Sequence, residues 1–372
     1  MMLRFTKLRL RISSLFVFFI LSIPFSKAEE PKPTSVDLVF CLDLSGSTNG
    51  LINDLRDNLW IIINQTKLIK SNTDLRIGVV GFSRPSFGKN NSYVKVLVDL
   101  TNHFDHLSSE LYRLKPSIEK GDQHVNAALS SCISQLSWTK HHESKKIIFI
   151  IGNGNVTTNG VEYVNTCELA ASRNIIINPV YIPSGANIIR ELPAWKRIAT
   201  ITGGIQQEIS VNKKDNEIVW PDAKFDRVRE INNKLNGSYR WSGLDSSICR
   251  KSQITADSGA FFATKDAFYN RVYFKLSNEY ITSISNCELT YAYSAKKLAN
   301  IPAKNDSARQ IVDEFRNRLM SIRNDRQKLI DALQKELPSE NQTIMKGKYD
   351  TEEMPNQDIL LRVVINTLRK QL

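Results

Sequence analysis

One carboxylate and two hydroxyls stand close together near the start of the chain: Asp43, Ser45 and Ser47, with Gly46 between the serines. They directly follow an apolar run from Leu38 to Leu42, which is typical of a strand buried in a parallel sheet. Oxygen donors of these kinds are the ligands that Mg²⁺ or Mn²⁺ prefers. The carboxyl end of such a strand is also where open α/β sheets place their ligand sites. The segment therefore predicts a site for a divalent cation.

The segments around this turn alternate between strand and helix patterns. Strand patterns lie at residues 36–42, 75–82, 93–100, 146–151, 175–182 and 204–209. Such alternation predicts an α/β fold with a doubly wound, mostly parallel sheet that is covered by helices on both faces. Strand 93–100 follows its predecessor without a helix between them, which predicts one antiparallel edge strand. Near Pro193, an interruption is expected in the helix that precedes the last strand.

The pattern changes after residue 212, which predicts an α/β domain over 36–212 and a mainly α-helical C-terminal region. We expect a mixed, largely helical connecting region at 213–305 and a helical region at 306–372. Asp306 to Leu337 reads as one long amphipathic helix. Its apolar stripe needs a partner: its neighbours in this half, the α/β domain, or another copy in a coiled coil.

The N-terminal residues are typical of a secretory signal peptide. Basic residues precede an apolar run from Ile12 to Phe25, and small residues flank Lys27 at a cleavage position after Ala28. The run is short for a membrane span. We expect a signal peptide at 1–28, a linker at 29–35, and no transmembrane segment after cleavage. The predicted location is periplasmic, cell-surface or extracellular.

Charge and cysteine count constrain the partners. The net charge of +12 includes five basic and no acidic residues in the first 28, so the mature chain carries +7. This favours anionic surfaces such as a cell envelope. Basic residues are scattered among acidic ones, so no nucleic-acid partner is expected. The five cysteines leave at least one thiol without an intrachain partner, and Cys249 and Cys287 could pair.

Residues 35–212 resemble a von Willebrand factor type A domain. The resemblance rests on Asp43-Leu-Ser-Gly-Ser47, on Lys120 to Leu129 opening a helix, and on Lys146 to Asn153. More narrowly, the chain resembles exported bacterial proteins of this family that add a helical C-terminal region. In those relatives the fourth strand can end in Gly-Asn, as it does here.

The resemblance implies a metal site built from the D-x-S-x-S residues, a Thr before the third helix and an Asp after the fourth strand. The first three positions match. The Thr position falls on Asp122, or on Gln123 because the spacing of this loop varies, and the second Asp position falls on Asn153. The formal charge around the ion would stay near −2. The expected ligands of Mg²⁺ or Mn²⁺ are therefore Asp43, Ser45, Ser47, Asp122 and Asn153.

Three interpretations of this site remain open at the level of sequence. The cation could bind an acidic protein partner, it could serve structure alone, or the altered site could hold no cation. The function expected first is an exported, non-enzymatic adhesion module that engages an acidic partner. The alternative is a metal-free scaffold whose C-terminal helices mediate protein interaction or assembly. No catalytic constellation is found, and His141-His142-Glu143 reads as a solvated turn rather than a metal cluster.

Overall fold

The computed structural model describes residues 34–48, 50–114, 121–141, 143–156, 163–183, 187–210, 222–239, 241–242, 245–276, 288–289, 306–347 and 359–372. Its main sheet has six strands in the order β3-β2-β1-β4-β5-β6. All neighbouring strands are parallel except β3, which is antiparallel to β2. The predicted fold class and its antiparallel edge strand are thus confirmed. The strands are β1 (Thr34–Asp43), β2 (Thr73–Phe82), β3 (Lys95–Thr101), β4 (Lys145–Gly152), β5 (Ile175–Tyr181) and β6 (Gln207–Glu208).

The described helices cover the sheet and then extend beyond it. A short antiparallel pair, β7 (Trp241–Ser242) and β8 (Glu288–Leu289), lies among the later helices. In chain order the helices are α1 (Gly50–Ile69), α2 (Phe104–Arg113), α3 (Val125–Gln135), α4 (Tyr163–Ser172), α5 (Ile188–Thr202), α6 (Ala223–Gly237), α7 (Ser246–Ala263), α8 (Lys265–Leu276), α9 (Asp306–Glu336), α10 (Ser339–Met345) and α11 (Ile359–Gln371).

The central strands are buried on both faces, and their side chains belong to two separate hydrophobic clusters, one on each face. Phe40 and Leu42 point into the cluster shared with α1 and α2. Val39 and Cys41, on the opposite face, join the cluster formed with α3, α4 and α5. A strand with apolar residues at every position is what burial on both faces requires.

The last helix, α11, completes the α1 side of the sheet. Val364 and Leu368 are fully buried in the same cluster as Val180 of β5. At its end, Gln371 exchanges two amide hydrogen bonds with the buried Asn178 of β5, at 2.8 and 2.9 Å. A helix that begins about 150 residues after β6 therefore packs on the α1 side of the sheet and bonds to β5.

The helices between β6 and α11 pack on the outer surface of α1 and α2. The ring of Phe274 in α8 lies 4.8 Å from Trp60 of α1 and 6.5 Å from Phe104 of α2. From α9 and α10, Leu333 and Met345 belong to the same buried cluster. Residues 34–372 consequently form one compact unit.

A buried charge network joins this outer layer to α2. The Arg271 side chain is fully buried, with Nη1 2.6 Å from Asp105 Oδ1 and Nε donating to Asp257 Oδ1 at 2.8 Å. Its guanidinium also lies 4.3 Å from the ring centre of Trp60. Lys275 Nζ donates to Asp257 Oδ2 at 2.5 Å. Two cations and two carboxylates thus balance one another where water is excluded.

Burial alone would raise the pKa of Asp257, but Lys275 and Arg271 outweigh it and hold this pKa well below its usual range. Burial also lowers the pKa of Lys275, to about 8, against the opposing attraction of Asp257. A carboxyl group with a lowered folded-state pKa stabilises the fold above its unfolded-state pKa of about 4. That contribution is lost as the pH falls towards the folded-state pKa.

We predict that Asp257→Asn lowers the free energy of unfolding by about 3 kcal/mol at neutral pH, because it leaves Arg271 and Lys275 buried with too little counter-charge. Between pH 4 and 2, the stability of the variant should fall less steeply than that of the wild type. Urea denaturation across this pH range measures both effects. Asp226→Asn, at an exposed pair with Arg229, is the matched control. Equal behaviour of the two variants would contradict a structural role for the network.

We predict that Leu368→Ala in α11 lowers the free energy of unfolding by about 3 kcal/mol, because its buried side chain packs with the sheet cluster. Arg369→Ala, at the adjacent exposed position, should change it by less than about 0.5 kcal/mol. Denaturation followed by tryptophan fluorescence compares them. Loss of α11 helicity in Leu368→Ala without a shift of the main transition would show that α11 is not part of the sheet core.

Candidate functional site

Asp43 ends β1 with its carboxylate buried at the carboxyl edge of the sheet. Oδ1 accepts a hydrogen bond from the Ser45 N–H at 3.0 Å. Oδ2 is buried and has no hydrogen-bond partner among the described residues. A buried carboxylate oxygen without a donor is costly, because the protein replaces none of the water that it loses.

A single 3-10 turn, Gly46–Thr48, follows the strand and closes over this carboxylate. The Thr48 hydroxyl donates to the main-chain oxygen of Asp43 at 2.9 Å and lies 3.1 Å from the Ser45 hydroxyl. Thr48 is fully buried and was not singled out from the sequence, although hydroxyl residues commonly bond to their own turn. The turn thus holds the Ser45 side chain beside Asp43. The Ser47 side chain lies outside the described part of the structure.

Burial raises the pKa of Asp43, and the hydrogen bond from the Ser45 N–H together with the nearby hydroxyls of Ser45, Thr48 and Ser83 offsets this only in part. The net direction is upward. The ionised form is therefore held less favourably in the folded chain than in water. A bound cation is one way in which the folded chain can compensate that charge.

The chain after β4 brings Asn153 to the same edge. β1 and β4 lie side by side, and Gly152 packs so closely on Asp43 that an added Cβ would lie 2.5 Å from the Asp43 Cβ. Asn153 is buried, and its Oδ1 accepts a hydrogen bond from Gln123 Nε2 at 2.6 Å. Gly154, at φ 101°, leaves the space that the Gln123 side chain occupies.

The loop before α3 turns Gln123, not Asp122, towards Asn153. Gly121 packs this loop against the main chain of Ser83. A Cβ added to Gly121 would lie 2.2 Å from the Ser83 carbonyl oxygen. With Gly121 fixed there, the Asp122 side chain is exposed to solvent. The structure therefore brings Asp43, Ser45 and Asn153 together with Gln123. Direct ligation by Asp122 stays a prediction.

A second set of side chains holds the loop after β4 in place. Glu191 of α5 is buried, and its Oε2 accepts hydrogen bonds from the Gly154 N–H at 3.0 Å and from the Tyr181 hydroxyl at 2.9 Å. Trp195 donates from Nε1 to the Gly154 carbonyl at 2.9 Å. These residues were missed in the sequence because their partner is a main-chain turn some 40 residues away. The hydrogen bonds that Glu191 and Trp195 make with Gly154 therefore fix the position of the adjacent Asn153.

The other candidate residues do not gather into a site. His124 packs on the ring of Tyr93, with the ring centres 5.4 Å apart. His141 is exposed, and its neighbour at position 142 lies outside the described residues. Across the described ranges, no group of three or more His, Cys, Asp or Glu side chains could hold a metal ion. An ion at the Asp43 edge would accordingly be bound mainly by neutral oxygens.

The cysteines divide between the two halves of the chain. Cys41, Cys132 and Cys167 are buried and free. Burial raises the pKa of the Cys41 thiol, which keeps it protonated and unreactive. Cys249 is disulfide-bonded. Its predicted partner, Cys287, lies outside the described residues.

No helix in the described part of the chain is long and apolar enough to cross a membrane. The predicted signal peptide at 1–28 and the linker up to residue 33 fall outside the described residues, so export stays a prediction.

The donors at the edge fit a hard divalent cation. Asp43 supplies a buried carboxylate oxygen to which no described residue donates, Ser45 a buried hydroxyl, and Asn153 a buried amide oxygen. Oxygen ligands of mixed charge suit Mg²⁺ and Mn²⁺. Asp43 contributes a formal charge of −1, whereas the sequence pattern with Asp122 as a ligand predicted −2. The ion would therefore keep an uncompensated positive charge.

Comparison with known protein families finds a match in the first half of the chain. Residues 37–212 match the family model of the von Willebrand factor type A domain. No curated protein matches the chain. Similar solved structures include an aerotolerance-related membrane protein from Bacteroides fragilis NCTC 9343, carrying multiple mutations to serines. It is 17% identical, with a TM-score of 0.32, over 47% of this chain and 92% of that chain.

Two further solved structures match a similar share of the chain. The pilus adhesin SpaC from Lactobacillus rhamnosus GG is 14% identical with a TM-score of 0.36, and the match covers 49% of this chain and 29% of the adhesin. The VWA domain of SpRpn10 is 13% identical with a TM-score of 0.35, over 48% of this chain and 89% of that domain. Scores this low carry no functional information.

We predict that Asp43→Asn raises the stability of the metal-free protein by about 1–2 kcal/mol, because it removes a buried charge but can keep the bond from the Ser45 N–H. The pKa of Asp43 is raised on folding, so its stabilising contribution is present at low pH and is lost as the pH rises through that pKa. The advantage of the variant should therefore grow with pH.

Thermal melting in EDTA between pH 4 and 8 measures this advantage, expected as about 2–4 °C at the upper end. Asp122→Asn makes the same chemical change on the exposed neighbour of Gln123 and should leave the melting temperature unchanged. A loss of stability in Asp43→Asn would mean that the carboxylate is satisfied without a cation.

Proposed function

Because residues 37–212 form a von Willebrand factor type A domain, we propose that the chain is a protein-interaction module whose binding edge lies at Asp43. Domains of this kind generally bind other proteins rather than catalyse reactions. The observation that carries the proposal is the buried Asp43 Oδ2, to which no described residue donates, at the edge where open α/β sheets bind ligands. We further propose that the chain is exported, on the strength of its N-terminal sequence pattern.

The cation would be held by Asp43, Ser45 and Asn153, with Ser47 completing the sequence motif. When bound, it supplies a Lewis-acidic positive charge at the surface of the sheet. The turn at Gly46–Thr48 orients the hydroxyl of Ser45, and Glu191 holds the loop that carries Asn153. The chain's own residues thus fix the donor positions before any partner arrives.

An acidic side chain is the partner group that this charge balance favours. A divalent ion with one carboxylate from Asp43 keeps a net charge of about +1, and a partner's carboxylate would neutralise it. Had Asp122 been turned inwards, the chain would have neutralised the ion itself. The outward position of Asp122 therefore supports adhesion to an acidic partner over a purely structural ion.

We predict that metal and acidic peptide bind cooperatively. Isothermal titration of Mg²⁺ or Mn²⁺ into the wild-type chain should give weak binding that becomes roughly tenfold tighter with saturating poly-glutamate, because each ligand neutralises the charge of the other. Poly-glutamine should give no such gain. Asp43→Asn should abolish the heat of metal binding, whereas Asp122→Asn should keep the metal affinity within about twofold of the wild type.

If Asp43→Asn does not change the heat of metal binding, the proposal is overturned. The absence of any metal binding to the wild-type chain would overturn it as well. The metal-free scaffold would then be favoured. In its support, the outer face of α7 exposes Ile248, Ile254 and Phe262, the last with 80% of its surface accessible. A partner that covered these side chains would remove their apolar surface from water.

A further inference from the structure

A groove lies at the opposite end of the sheet from Asp43. It has a volume of about 650 Å³ and runs between the ends of α3 and α4, beside the first residues of β4 and β5. β4 has eight residues, so the groove and the Asp43 edge are roughly 25 Å apart. The volume is within the range of sites that hold small ligands. A ligand here would be independent of the one at Asp43.

The lining of the groove is cationic. Lys140, Lys146 and Arg173 contribute three positive charges, and none of the lining residues is acidic. Arg173 donates to the Ile133 carbonyl at 3.2 Å, and Lys146 donates to the Arg173 carbonyl at 3.4 Å. These bonds place both side chains at the rim. Their remaining N–H groups, and those of Lys140, are available for a ligand.

Two carboxylates that contact the lining are already engaged. Asp37 accepts two hydrogen bonds from Arg76, at 2.7 and 2.8 Å, and one from the Thr139 N–H. Asp99 accepts from the N–H and the hydroxyl of Ser137. Among the described residues that line the groove, none is acidic.

An aromatic ring and neutral polar groups complete the surface. Trp138 is half-buried, and its Nε1 donates to the Cys132 carbonyl at 2.8 Å, which fixes the indole in place. Thr139, Ser172 and Asn174 line the groove beside it. A fixed indole offers an apolar surface on which the face of a sugar ring can pack. Hydroxyl and amide groups suit the hydroxyls of the sugar.

We propose that this groove binds an acidic saccharide, with a sugar ring on Trp138 and its sulfate, phosphate or carboxylate groups near Lys140, Lys146 and Arg173. The ring and the neutral polar groups distinguish this ligand from a bare anion, which needs cations alone. An acidic peptide could also use the three cations, as it does at Arg clusters, but it would leave Trp138 and the neutral polar groups of the lining without a role.

The test uses the mature chain in EDTA, which removes any contribution of a divalent cation at Asp43. Titration with a sulfated dextran oligosaccharide should show binding, and neutral dextran should bind much more weakly. Lys140→Gln with Lys146→Gln should weaken binding about fivefold. Lys224→Gln with Lys370→Gln, two exposed positions outside the groove, removes the same charge and should leave affinity unchanged.

Trp138→Ala should weaken binding about tenfold, and Trp138→Phe, which keeps a ring, should weaken it less. Circular dichroism melting shows whether each variant is folded. Equal losses in the two lysine pairs would show general charge attraction and overturn the proposal. Equally tight binding of inorganic sulfate or of poly-glutamate would also overturn it, because the groove would then recognise an anion or a peptide instead.

Discussion

The buried carboxylate at the end of β1 is the constraint on which the functional edge depends. Asp43 Oδ1 accepts a hydrogen bond from the Ser45 N–H, whereas Oδ2 is buried and accepts none from the described residues. Folding places that charge where water solvates it poorly, and the surrounding hydroxyls offset only part of the cost. The close packing of Gly152 and the turn at Gly46–Thr48 both hold the carboxylate there. The proposed cation would give this arrangement a physical reason.

The described helices of the C-terminal region pack directly on the α/β domain and form part of the same fold. α11 covers the sheet next to α1, and the layer from α6 to α10 is tied to α2 through Arg271 and Asp257. The loops at the Asp43 edge are thereby carried on a sheet that is packed on both faces. A binding edge on a rigid scaffold loses less entropy when a partner binds. The domain boundary at 212 stays a prediction, and the described residues between 34 and 372 form one compact unit.

Local patterns in the sequence predicted most of the α/β fold, including the antiparallel β3, because strand and helix periodicity are local properties.

The expected interruption at Pro193 was wrong: α5 runs unbroken from Ile188 to Thr202. The carbonyl that Pro193 leaves without a donor belongs to Ile189, at the solvent-exposed start of the helix, where water can reach it. Where the C-terminal helices pack could not be predicted, since it depends on contacts far apart in the chain. The sequence also could not show whether Asp122 or Gln123 faces Asn153. The close packing of Gly121 on the main chain of Ser83 determines this, and that contact joins distant parts of the chain.

Anomalous diffraction from crystals soaked in saturating Mn²⁺ would show whether Asp43 binds a cation. A manganese peak is expected about 2.1 Å from Asp43 Oδ2 and next to the Ser45 hydroxyl, with an open coordination position towards solvent. Crystals of Asp43→Asn should lack the peak. A wild-type structure at the same Mn²⁺ concentration with no peak at this edge, or with manganese bound by Asp122 alone, would rule out Asp43 as the cation ligand.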